Sequence, residues 1–66
     1  MEVIMKDFLI EASKNGESID FETVITRNEE PSWFDIMALC SEHGCSLYTV
    51  YELNQANEIA RTVELF

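Results

Sequence analysis

Sixty-six residues make one domain near the lower limit of what folds without a metal or a disulfide, so nearly every large apolar side chain is needed in one core and a deep, water-excluding cleft is hard to build. Hydrophobic residues are 47% of the chain and aromatics 11%, which argues against disorder. Thirteen acidic residues against four basic ones give a formal net charge of −9, which disfavours direct contact with nucleic acid or anionic membrane and favours a basic protein surface.

The N-terminal MEVIMKDFLIEAS is too acidic, and its apolar part too short, for a signal peptide. No apolar run reaches the roughly 18 residues of a membrane span. The expected location is cytoplasmic, with Cys40 and Cys45 as free thiols.

Val3 to Ala12 is rich in β-formers, and Lys14-Asn15-Gly16-Glu17 follows it with an Asn-Gly pair that signals a type I′ hairpin. A second strand is expected from Ile19 to Arg27. With Asn15 and Gly16 as the loop, Ala12 faces Ile19, Ile10 faces Phe21 and Phe8 faces Thr23, which brings the apolar sides of both strands together.

After Asn28-Glu29-Glu30, the stretch from Pro31 to Gly44 reads as a helix from its start, its period and its end. Ser32 is placed to cap it, with Asp35 three residues on, and Pro31 stands where its missing N–H costs nothing. Trp33, Ile36, Met37 and Cys40 form one apolar stripe that Phe34 and Leu39 widen. Gly44 can take the left-handed conformation that closes a helix, and His43 suits the last turn.

Ser46 to Leu53 is a third strand, and Ile59 to Phe66 is expected as a fourth rather than as a helix. Gln55-Ala56-Asn57 would join them, with Asn57 left-handed, pairing Leu53 with Ile59, Thr49 with Val63 and Leu47 with Leu65. The expected fold is α+β: a single four-stranded, mostly antiparallel sheet with one helix on one face, in the order ββαββ.

On these registers Asp7, Leu9 and Glu11, then Asp20, Glu22 and Val24, then Tyr48, Val50 and Glu52, then Glu58, Ala60, Thr62 and Glu64 point away from the helix. Seven of the 13 acids would share that face around an apolar centre. Polar residues on an open sheet face are ordinary, and acids also keep edges from pairing. Glu11 directly opposite Asp20, however, is a like-charge pair that stability alone would not select. The residues expected to bind a partner are Asp7, Glu11, Asp20, Glu22, Tyr48, Glu52, Glu58 and Glu64.

Cys40-x-x-His43-x-Cys45 is the one cluster of metal-capable residues, but zinc wants four ligands on preorganised turns and one of these three lies on the buried stripe. Cys40 reads better as core filler. No metal, cofactor or catalytic residue is expected, because no oxyanion-forming loop accompanies the single histidine and nothing marks a cleft that would raise a carboxylate's pKa.

In size and charge the chain resembles a type rather than a family: very small acidic proteins, often encoded by phages or mobile elements, that inhibit a nucleic-acid-binding protein by occupying its basic groove. The expectation is a non-enzymatic binding protein that docks an acidic sheet face or a strand edge on a basic surface of a nucleic-acid-handling enzyme. The alternative is a homodimeric or assembly subunit in which Leu9, Val24, Val50 and Tyr48 meet across two sheets. A small metal or thiol protein built on Cys40, His43 and Cys45 ranks third.

Overall fold

The strand β1 (Lys6–Ser13) carries the core of the molecule, because it is hydrogen-bonded on both sides and its alternate residues Phe8, Ile10 and Ala12 are fully buried. A computed structural model describes residues 3–65. Around β1 it arranges β2 (Phe21–Arg27), α1 (Trp33–Glu42), β3 (Leu47–Leu53) and β4 (Ile59–Val63). The sheet order is β2-β1-β3-β4, every pairing is antiparallel, and the element order is ββαββ. Among these residues no helix is long and apolar enough to cross a membrane. Phe66, at the end of the expected fourth strand, lies outside the described residues.

β1 and β2 pair two residues further along than the Asn-Gly reading expects: Ala12 faces Phe21, Ile10 faces Thr23 and Glu11 faces Glu22. A type I′ turn needs positive φ at both central residues, whereas only Gly16 has it here, at 84°. Side chains hold a wider loop instead. Ser13 Oγ accepts from the Gly16 amide at 3.0 Å, Asn15 Oδ1 from Glu17 at 3.0 Å and Asp20 Oδ2 from Lys14 at 2.8 Å, local bonds of the kind that compete with a strand ladder. A slip of two preserves which face each residue occupies. Phe21 and Ile25 therefore still pack against the core, while Ile19 is left exposed.

The helix begins as expected. Ser32 is the N-cap, its Oγ accepting from the Asp35 amide at 3.2 Å, and Pro31 is buried just outside it. At the other end the Cys45 amide donates to the Cys40 carbonyl at 2.9 Å and the Gly44 amide to Ser41 at 3.1 Å, with Gly44 at φ 69°. This is a complete Schellman motif. Only the middle of the expected stripe is covered. Ile36 and Cys40 are buried and Leu39 is half-buried against the core, but Trp33 and Met37 are each 42% exposed and Phe34 is 72% exposed. The apolar arc of the helix is wider than the strip of sheet beneath it, and the seat is centred toward Leu39 rather than Met37.

The β3–β4 connection also starts as expected, with Leu53 opposite Ile59 and Asn57 left-handed at φ 61°. Asn54 Oδ1 holds it by accepting from Ala56 at 2.9 Å and Glu58 at 3.0 Å. A bulge follows between Glu52 and Leu53, so that Ala60 is the extra residue and Glu52 faces Arg61, Tyr51 faces Thr62 and Val50 faces Val63. Thr49 does not meet Val63. The expected Leu47–Leu65 pair does not form either, since Leu47 pairs with Ser13 and β4 stops at Val63.

One inserted residue thereby lets Ile59 look outward and Val63 inward. Because Phe8 faces Glu52, Ile10 faces Val50 and Ala12 faces Tyr48, it is Tyr48, Val50 and Glu52 that lie on the helix side, the reverse of the expected phase. The gain is Val50, buried beside Val63, Ile10 and Ile36 in one cluster.

Ile36→Ala should cost about 2–5 kcal/mol, because it empties the centre of the core. Ser32→Ala should cost about 1 kcal/mol by removing the cap. Urea unfolding followed by circular dichroism checks both values.

Candidate protein interface

With α1 on one side of the sheet, the other side is a set of cross-strand rows. Val24, Leu9, Tyr51 and Thr62 stand opposite one another from β2 through β1 and β3 to β4. On one flank of this row lie Glu22, Glu11 and Thr49, and on the other Thr26, Asp7, Leu53 and Ile59. Leu9, Tyr51 and Leu53 are half-buried by their neighbours, whereas Val24 and Ile59 are about half exposed, at 51% and 55%. Asp7 accepts from the Thr26 hydroxyl at 2.7 Å.

The charges of the strands divide by face. Lys6, Arg27 and Arg61, the basic residues of the four strands, all take positions on the helix side. There Glu52 lies between Lys6 Nζ at 3.7 Å and Arg61 Nη2 at 3.0 Å, and Arg61 also donates to Glu30. The cations are nearly half exposed, and each pair contributes no more than about 1 kcal/mol. The other three acids of the strands, Asp7, Glu11 and Glu22, occupy the open side. That face bears carboxylates, hydroxyls and an apolar row, with no strand cation to neutralise it.

Of the eight residues expected to form the partner surface, the sheet brings together Asp7, Glu11 and Glu22. Tyr48 and Glu52 are removed from it by the reversed phase of β3. Asp20 precedes β2 and its carboxylate is committed to the Lys14 amide. Glu58 belongs to the β3–β4 connection, and Glu64 follows the end of β4. Glu11 does face an acid directly, but the acid is Glu22 rather than Asp20. The continuous field of seven carboxylates is therefore replaced by three around an apolar centre. Tyr51, Leu53 and Ile59 join that centre unanticipated, because both phases of Leu47-Tyr48-Thr49-Val50-Tyr51-Glu52-Leu53 contain large apolar side chains. A shallow hollow of about 330 Å³ extends the acidic end, lined by Glu11, Glu17, Ser18, Ile19, Leu47 and Thr49 among others.

The Cys40, His43 and Cys45 side chains do not converge as ligands. The His43 ring stacks on Phe21 with centroids 3.6 Å apart and planes 12° from parallel, while both thiols are buried. Among the described residues no group of three or more His, Cys, Asp or Glu side chains is arranged to hold a metal ion. Burial, and Cys45 beside it, push the Cys40 thiol above its ordinary pKa.

Replacing Glu22 by Thr removes the repulsion across β1 and β2 and supplies a better strand residue. Stability should rise by about 0.2–1 kcal/mol in low salt, and by less as salt screens the pair, measured by urea unfolding at two ionic strengths. Comparison with protein families, with characterised proteins and with solved structures gives no match, so the functional reading rests on this surface.

Proposed function

We propose that the chain is a non-enzymatic binding protein whose open sheet face docks on a basic protein surface. The observation that carries this reading is the division of charge across the sheet. The three strand cations lie on the helix side and three of the four strand acids on the open side, flanking Val24, Leu9 and Tyr51. An apolar centre with a polar rim is the anatomy of a protein interface. A net charge of −9 would steer a cationic partner toward it and make association fast and steeply salt dependent.

Surfaces that handle nucleic acid are the commonest large cationic ones, so a protein of that kind is the partner class the charge fits best. Occupying its groove would exclude nucleic acid and make this chain an inhibitor. Two copies meeting face to face would bring six such carboxylates together around the apolar row, and desolvating them disfavours the homodimer. Val50 and Tyr48 are in any case on the helix side and unavailable to such a contact.

The test compares proteins retained from a lysate by three baits: the wild type, a face variant with Asp7, Glu11 and Glu22 all changed to Lys, and a control with Glu29, Glu42 and Glu58 changed to Lys. Both variants carry the same net charge. Binding of a basic protein lost in the face variant and kept in the control is the expected result. Equal loss in both would reduce the effect to net charge, and retention by the face variant would contradict the proposal.

A further inference from the structure

The Schellman motif at the end of α1 does more than close the helix. Its two signature positions, the third residue from the helix end and the second residue beyond the cap, are those whose side chains meet in such motifs, and here they are Cys40 and Cys45. The Cys45 amide donates to the Cys40 carbonyl at 2.9 Å. A carbonyl oxygen lies about 2.4 Å from its own Cα and an amide nitrogen about 1.5 Å from its own, so this bond holds the two α-carbons within about 6.8 Å. That is the upper end of the range a disulfide spans without backbone movement. Both side chains turn into the same cluster, at 2% and 5% exposure, and both are free thiols. Burial, and then the neighbouring Cys45, make the Cys40 thiol harder to ionise.

We propose that Cys40 and Cys45 form a reversible disulfide-forming dithiol, a modification site for a small disulfide such as oxidised glutathione. The Cys45 thiolate attacks one sulfur of the reagent, forming a mixed disulfide and expelling one glutathione thiolate. The Cys40 thiolate then attacks the Cys45 sulfur of that mixed disulfide and expels the second. The protein loses two electrons and two protons, and the small disulfide gains them as two thiols. Cys45 reacts first because its thiol lies at the helix exit, where it donates to the His43 carbonyl at 3.7 Å. Cys40 lies a full turn inside. The new bond ties the last turn of α1 to the entry of β3 at a place where the native hydrogen bond already joins them, so oxidation locks the native connection rather than distorting it.

The experiment incubates the folded protein with excess oxidised glutathione, quenches with acid and reads the intact mass, with a urea-unfolded sample as reference. The expected product is a monomer lighter by about 2 Da with no glutathione retained. Its thermal midpoint should be higher by on the order of 10 °C, since the link restricts the unfolded chain, and dithiothreitol should reverse both changes. Cys40→Ser should stop the reaction at a retained glutathione adduct. A wild-type protein that keeps the adduct, forms a covalent dimer, stays unreacted while the unfolded reference is converted, or shows an oxidised form no more stable than the reduced one overturns the proposal. None of these outcomes bears on the open sheet face.

Discussion

The seating of Ile36 and Cys40 on the buried row of β1 is the contact on which the rest of the molecule depends. Phe8, Ile10 and Ala12 on the central strand meet Val50 on one side and Ile25 and Phe21 on the other, and the helix closes over them. A chain this short cannot build a second core. Whatever the helix does not cover stays in water, and the open side of the sheet is such a surface.

That constraint gives the charge its arrangement. Strand cations can reach solvent from the rim of the helix side, because long Lys and Arg side chains keep apolar stems over the core and carry their charge outward. Lys6, Arg27 and Arg61 take helix-side positions, and two of them meet Glu52 there. The open side keeps Asp7, Glu11 and Glu22 uncompensated by any strand cation. Placing Glu11 directly opposite Glu22 works against strand pairing, and that cost supports the proposed binding role of this face. The Cys40 and Cys45 pair sits on the opposite layer, so redox chemistry there would alter the stability of the helix seat without touching the face.

Much of the fold was legible in the residues. Ser32, Gly44 and Asn57 each impose a local geometry through a named hydrogen bond or a positive φ, and such signals read well because nothing distant is needed to explain them. The β1–β2 loop misled because the Asn15-Gly16 pair competes with Ser13 and Asp20 for the same amides, and the side chains prevail. The candidate face was half legible. On β1 and β2 the alternation is broken by Leu9 and Val24, but the acids Asp7, Glu11 and Glu22 all fall on one phase, so they could be placed even though the register slipped by two. On β3 both phases are apolar, and the choice between Val50 and Tyr51 as core residue is made by pairing with β1, where Val50 faces the buried Ile10 and Tyr51 faces Leu9. That long-range pairing moves Tyr48 and Glu52 off the face and brings Tyr51 and Leu53 onto it. The one-residue bulge at Ala60, which leaves no sign in a period-two pattern, sets Ile59 beside Leu53 on the open side and Val63 beside Val50 in the core.

The phase of β3 is therefore the point on which both the core and the open face turn, and proton–proton contacts in solution read it directly. In a nuclear Overhauser experiment on the uniformly labelled protein, the Val50 methyls should show contacts to Ile36 and Val63, and the Tyr51 ring contacts to Leu9 and Thr62. Contacts from the Tyr51 ring to Ile36, with Val50 reaching Leu9's side of the sheet, would contradict the account.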